Sequence, residues 1–455
     1  MVIAAMLFVC VLFVDTQEVA MKTNTVARNK RITHEGAPAH AITAEAQLRR
    51  SVMACLLWEA EFYEDGESIA QRIAATVPLV KPATVAEIAI EARERMKLRH
   101  VPLLLVREMA RHASHRPLVA ETLARVIQRA DEPAEFLAIY RREGRVPVAH
   151  SVRNGLAAAL RKFDEYDFAK YRGDNKQVKL RDVFRVVHPV PRNDAESVLW
   201  KRAVNNELAT PDTWEVALSA NDGVDKKTKW SRLLADSKLG ALALLRNLRN
   251  MQQAGVDEEL IRTAIQKMNV SRVLPFRFIA AARFAPALED ALEDKFFASI
   301  SAEKLAGRTT ILVDVSGSMS SPLSRKSDMT RIDAACGVAM VARELCKTVQ
   351  IFSFSDELVQ VPARRGFALR DAIVASQPNI GTFLGKALDE LHNREQYDRL
   401  IVITDEQSHD RVPAPKATGY VINVGSYQHG VGYGDWTHID GFSEAVFHYI
   451  QEVES

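Results

Sequence analysis

"TILVDVSGSMSSP", residues 310–322, decides how the last third of this chain is read. The apolar residues Ile311, Leu312 and Val313 run into Asp314, and two serines follow at alternate positions with Gly317 between them. Open α/β sheets bind ligands outside the carboxyl ends of their strands, so a strand ending in a carboxylate and two hydroxyls predicts a site there. Asp405 closes a second such run, "DRLIVITD", and Thr382 lies in the loop "NIGTFLG" just before a helical stretch. Two carboxylates and several hydroxyls are all oxygen donors, which suits a hard divalent cation, Mg²⁺ or Mn²⁺. In an extended turn the hydroxyls of Ser316 and Ser318 can face one point. The alternative is a vestigial site whose polar groups bond only one another. Glu406 and His409 are the nearest bases for hydrolytic chemistry. An ion held largely by hydroxyls polarises water weakly, so no catalysis is expected.

Outward from this stretch, near-continuous apolar runs alternate with helical ones. "TVQIFSFS", "DRLIVITD" and "GYVINVG" read as strands. "RIDAACGVAMVARELC", "TFLGKALDELHNR" and "GFSEAVFHYIQEV" read as helices. That alternation predicts a parallel sheet covered on both faces. Upstream, from about Ile42 to Ile300, the pattern is helix after helix. In "TVAEIAIEARERM", Val85, Ile88, Ala89, Ala92 and Met96 share one face, with Thr84 read as N-cap and Glu87 at the capping-box position. Further helical stretches fall near 45–63, 101–112, 118–130, 147–162, 178–188, 228–250, 257–267 and 286–300, with prolines near several starts. This predicts a bundle or an irregular solenoid of HEAT-like pairs. The boundaries expected are an N-terminal segment 1–41, a helical module 42–304 and an α/β domain 305–455.

The chain has 455 residues and a net charge of +2, but the charge is unevenly placed. From Leu305 onward 14 Lys and Arg face 19 Asp and Glu; residues 141–192 hold 13 against 6. Local excess of this kind points to a polyanion partner, with a solvated basic face as the plain alternative. In the helix expected at 178–188, Leu180, Phe184 and Val187 make an apolar face, while Arg181, Arg185 and His188 make a second, basic one. Lys170, Arg172, Lys176 and Lys179 precede it, with Tyr171 among them. Cations meet phosphates, and aromatic planes stack on unpaired bases. Weaker candidates are Arg107, Arg111, His112 and His115, and Arg246, Arg249, Arg272 and Arg277, any of which could instead be interhelical ion pairs.

Cys10, Cys55, Cys336 and Cys346 fit neither zinc spacing nor a disulfide framework, so a reducing, cytoplasmic compartment is expected. Residues 2–14 are apolar but too few to span a bilayer, and no Lys or Arg precedes Lys22. A start at Met21 or a buried strand is expected over secretion.

"DVSGSM", the G-T loop and "TDEQS" resemble the metal-ion-dependent adhesion site of von Willebrand factor A (vWA) domains. The resemblance implies Asp314, Ser316, Ser318, Thr382 and Asp405 as ligands. "RRSVMACLLWEAEFYEDG", "KYR…LRDVFRVVHPVP", "LGALALLRNLRNM" and "RVLPFRFIAAAR" are similar to the TROVE module of Ro autoantigen proteins and their bacterial orthologues, which join it to a C-terminal vWA domain in this order. The family implies a HEAT-like helical ring closed by the vWA domain. It also implies a Y-like noncoding RNA on the outer surface through Lys170, Arg172 and His188. Single-stranded 3′ ends of misfolded or decaying RNA would enter the central hole, and a 3′-to-5′ exoribonuclease would be a tethered partner. Arg181 and Arg185 are added from the helix face.

The expected function is therefore a non-enzymatic, monomeric RNA-binding protein of a small ribonucleoprotein in RNA quality control, with no membrane partner. The alternatives are a metal-dependent protein-interaction scaffold, in which the basic run is incidental, and a metal-dependent nuclease.

Overall fold

The computed structural model describes residues 38, 43–53, 66–96, 98–144, 146–171, 177–271, 273–300, 304–323, 329–378, 380–425, 430–432, 434–440, 446–447, 450 and 454. The apolar run at 2–14, the arm that follows it, Cys10, Cys55, Arg172, Lys176, Arg272 and most of "GFSEAVFHYIQEV" lie outside them.

Helices fill the first part. Pro82–Glu94, His100–Arg111, Arg116–Val126, Glu132–Tyr140 and His150–Leu160 follow in close succession. Pro117 and Pro133 sit in the first turns of their helices, where a missing N–H costs no bond. Each helix packs on its next neighbour, its next-but-one neighbour or both, as stacked helix pairs do. At one crossing Gly155 brings two helices so close that a Cβ there would meet the Ala120 carbonyl oxygen at 2.9 Å.

Three local readings change. The helix at Pro82–Glu94 starts two residues before Thr84, because Pro82 presets its first turn; Lys81 is the N-cap and Thr84 lies inside. The stretch 228–250 is two helices, Lys226–Ala235 and Ala241–Gln253, divided where Ser237 adopts φ +53° ahead of Gly240. Helices at Asp194–Asn205, Trp214–Ser219 and Phe276–Phe284 also form where periodicity was weak.

The sheet comprises β1 (Leu305–Asp314), β2 (Cys346–Phe354), β3 (Leu358–Gln360), β4 (Arg399–Thr404), β5 (Thr418–Asn423) and β6 (Thr437–Asp440). Its order is β3-β2-β1-β4-β5-β6. All pairs are parallel except β2 with β3, so the expected parallel sheet carries one short antiparallel edge. Successive side chains of a strand point to opposite faces. Ile311, Val313, Ile401 and Ile403 accordingly enter one core, and Leu312, Leu400 and Val402 enter another.

The cores do not follow the chain's change from helices to sheet. One cluster gathers residues from Leu48 to Leu208; a second begins at Trp230 and continues through the last helices into one face of the sheet. Phe276–Phe284 and Glu289–Ser299 pack on Arg331–Leu345 and Gly366–Val374 respectively.

The other end of the solenoid also reaches the sheet. Helix Ala44–Met53 touches β6, and Arg50, 1% exposed, places its Nη2 3.3 Å from Glu406 Oε2. His438 on β6 approaches the other carboxylate oxygen at 2.6 Å. Burial alone would raise the Glu406 pKa, but the His438 and Arg50 charges outweigh it and hold the group below the usual range. Helix, solenoid and sheet thus form a closed circuit.

Removing one partner of a buried ion pair costs about 3–5 kcal/mol. Arg50→Ala is therefore expected to lower unfolding free energy by that order in urea titrations. Changing both partners, Arg50→Met with Glu406→Gln, costs less than Arg50→Ala alone.

Candidate metal centre and nucleic-acid interface

The sheet order reverses direction about β1, and the ends of β1 and β4 flank that crevice. Asp314 ends β1 and Asp405 follows β4; both are completely buried. The Thr404 hydroxyl donates to Asp314 Oδ2 at 2.6 Å, and the Ser316 N–H donates to Asp314 Oδ1 at 2.9 Å. A single 3₁₀ turn, Gly317–Ser320, then brings the Ser316 and Ser318 hydroxyls within 3.3 Å of each other. Thr382 is buried in a loop clamped from two sides. Its carbonyl accepts from the His409 N–H at 2.8 Å, and the Ser355 hydroxyl beyond β2 donates to the Gly381 carbonyl at 2.7 Å.

Sequence reasoning missed Arg331. This first residue of helix Arg331–Leu345 is 1% exposed, and its Nη1 lies 2.9 Å from Asp405 Oδ2. With both carboxylates ionised, one guanidinium leaves the trio with a net negative charge. The oxygen donors, their burial and that residual charge fit a divalent cation held by Asp314, Ser316, Ser318, Thr382 and Asp405. Of the two bases considered for hydrolysis, Glu406 is paired with Arg50 and His438, and His409 Nδ1 lies 3.2 Å from the Thr382 N–H.

The basic surface is built on a short amphipathic helix, Leu180–Val187. Asp182 Oδ2 caps it by accepting the Lys179 N–H at 3.0 Å, and His188 ends it at φ +50° before Pro189. Leu180, Phe184 and Val187 are buried, with the Phe184 ring 5.6 Å from Trp200; Arg181, Arg185 and His188 are exposed. Neither arginine has an ion-pair partner among the described residues. On helix Glu165–Lys170, whose Phe168 ring lies 6.1 Å from Phe184, Lys170 lies 5.4 Å from the Tyr166 ring and 5.5 Å from Tyr171, whose ring also carries Arg129 at 4.4 Å.

Residues 201–326 match the TROVE domain and residues 308–418 the Ro60 vWA domain. The chain thus contains, in this order, a segment that matches the TROVE domain and one that matches the Ro60 vWA domain. A crystal structure titled Deinococcus radiodurans RO (RSR) protein superposes with a TM-score of 0.57 at 16% identity, covering 87% of this chain and 96% of that one, so the two share a fold. Telomerase protein component 1 of Mus musculus is 33% identical over 95 residues, 20% of this chain and only 4% of that protein's length.

All five oxygen donors lie within the matched vWA segment. The basic helix Leu180–Val187 precedes the matched TROVE segment. Of the weaker cationic candidates, Arg107 and Arg111 are held by Glu143 at 2.7 Å each. His115 is buried with Nε2 3.2 Å from the Val80 carbonyl, so this group holds helices together. Arg246, Arg249 and Arg277 have no acidic partner among the described residues.

Burial, then the neighbouring Asp405 charge, pushes the Asp314 pKa up to about 7. The folded state therefore binds a proton that the unfolded chain releases at lower pH, and stability falls as pH rises from the ordinary carboxylate range through about 7. In chelator, the melting temperature should drop across that window. Mg²⁺ or Mn²⁺ should raise it at pH 8 more than at pH 5, and Asp314→Asn should flatten both responses.

Proposed function

We propose that this chain is a non-enzymatic RNA-binding protein that forms a small ribonucleoprotein. The observation that carries the reading is the contrast between its two kinds of arginine. Arg93, Arg99, Arg107, Arg111, Arg125 and Arg202 all meet carboxylates on, or at the ends of, other helices. Arg181 and Arg185 stand exposed on one helix face with His188, and Lys170, on the helix whose Phe168 packs on Phe184, lies among tyrosines. Cations left without acidic partners beside aromatic rings suit phosphates and unpaired bases.

The finer reading is a Y-like small noncoding RNA bound on this outer face, with single-stranded ends of misfolded or decaying RNA bound elsewhere, in RNA quality control. A 3′-to-5′ exoribonuclease is the partner such a complex would serve, in the cytoplasm. Among the described residues no helix is long and apolar enough to cross a membrane. The divalent ion proposed at Asp314 and Asp405 lies in the vWA domain, and its role would be to neutralise two buried carboxylates and hold the loops around them. A metal-dependent contact with an acidic protein partner is the second reading, favoured by the Ser318 hydroxyl, which stays partly exposed beside the buried donors.

The test is binding of a structured hairpin RNA by the full chain across a salt series. Lys170→Ala with Arg181→Ala and Arg185→Ala should weaken binding without unfolding. The log–log salt slope should become shallower by about 0.9 for each duplex phosphate that is no longer neutralised. Unchanged affinity and slope in the triple variant would show that the RNA lies elsewhere.

A further inference from the structure

One edge of the sheet is only half covered. β2 pairs with β1 from Cys346 to Phe354, but on its other side β3 pairs only with Phe352, Ser353 and Phe354. The Val361 N–H then donates to the Ile351 carbonyl at 2.9 Å, and Pro362, with no N–H to give, ends the ladder. Residues 346–350 therefore have a partner strand on one side and none on the other among the described residues.

The hydrogen bonds that are made show which groups face the open side. Alternate residues of a strand turn their N–H and C=O groups to opposite neighbours. Ser355 and Ile351 bond toward β3, at Glu357 and Val361, while the Phe354 carbonyl accepts from Val315 on the β1 side at 3.0 Å. By the same alternation Val349 and Lys347 aim their backbone N–H and C=O groups at the open edge. Such a row is a template for one more strand.

The edge also has a wall and a charge. A cavity of about 250 Å³ lies along it, lined by Val349, Ile351, Val361 and Pro362, with Arg343 and Arg364. Lys347, Val349 and Ile351 share one face of the sheet. Ile351 is buried there, Val349 is half-buried and Lys347 is exposed. Arg343 is half-buried and Arg364 exposed, and neither they nor Lys347 meet an acid among the described residues. The nearest carboxylate in sequence is already used, since both oxygens of Glu344 hold Arg365, at 2.9 and 2.5 Å. This cationic edge runs against its own domain, where acids outnumber Lys and Arg by 19 to 14.

We propose that the open edge of β2 is a docking site for an extended, acidic segment of a partner protein, which joins the sheet as a strand beside residues 346–350. Backbone bonds to Val349 and Lys347 supply the affinity, and alternate side chains of the segment reach the wall of the cavity and the three cations. A second copy of this chain is a poor occupant, because edge would meet edge with like charges opposed, and a lysine on an open edge discourages self-pairing. RNA would satisfy the cations but not the backbone row or the apolar wall. The edge lies at the start of β2, whereas the metal centre lies at the carboxyl ends of the strands, so this contact needs no metal.

The probe is a fluorescent peptide of alternating valine and glutamate, titrated into the full chain and followed by anisotropy. The control is the same peptide N-methylated at adjacent central residues, so that neither of its edges can donate there. The variants are Val349→Pro and Arg343→Ala/Arg364→Ala. Proline is tolerated on an edge where the N–H faces outward; melting curves check this, and should that variant unfold, the arginine pair and the methylated peptide decide. The wild type should bind the probe, with slower amide exchange at Lys347 and Val349 in the complex. N-methylation and Val349→Pro should each weaken binding about tenfold. The arginine pair should weaken it about fivefold at low salt and less at high salt. Chelator should change nothing. No binding at millimolar peptide, or equal binding by the methylated peptide or by folded variants, overturns the proposal. So does loss of binding in chelator, which would assign the probe to the metal centre. Displacement by poly-uridylate as effective as by unlabelled peptide would mark an RNA surface, and a dimer dispersed by the peptide would mark self-pairing; either result also overturns it.

Discussion

Burying acidic groups at the end of a sheet demands countercharge, and the rest of this structure is arranged around supplying it. Asp314, Asp405 and Glu406 all lie at the carboxyl edge of β1 and β4 with no solvent exposure. Water cannot stabilise them there, and an uncompensated buried charge costs several kcal/mol. The chain sends cations from three distant places. Arg331 comes from the helix after β1, His438 from β6, and Arg50 from the first described helix, 356 positions away in the chain. The last of these draws the start of the helical solenoid onto the sheet, so one electrostatic requirement also closes the fold.

The supply stops short at Asp314. Arg331 answers Asp405, and Arg50 with His438 answers Glu406, but the acceptor bonds to Asp314 come from a hydroxyl and an N–H. A divalent cation would complete the same accounting, because the Ser316 and Ser318 hydroxyls are already turned toward each other. The vWA match covers this edge, and the buried charge is the physical ground on which a metal is proposed there.

The same rule, applied in reverse, marks surfaces for ligands. Many of the described arginines between helices are satisfied by glutamates and aspartates of another helix or its cap, as Arg99 is by Asp131 and Glu135. Where no acid among the described residues reaches them, as at Arg181 and Arg185 or at Arg246, Arg249 and Arg277, the charge lies on an exposed face or in a cavity. Positive charge counted along the sequence does not separate these cases, since paired and unpaired arginines look alike there.

The run Asp314–Ser318, the apolar strands and the two faces of Leu180–Val187 were legible in the sequence because each depends on residues a few positions apart, where backbone geometry alone sets the spacing. For the same reason the amphipathic helices were readable and the weakly periodic ones, such as Phe276–Phe284, were not. The split near Ser237 was missed because apolar residues continue at helical spacing across a backbone that turns. What tertiary structure alone decided are the pairings between distant segments: Arg331 with Asp405, Arg50 with Glu406, Arg107 with Glu143, and the meeting of Trp214 with Trp230 beside Asn250. A side chain's charge is written in the sequence, but whether that charge is spent inside the protein or left for a ligand depends on which groups folding brings within about 4 Å, the range over which an ion pair counts.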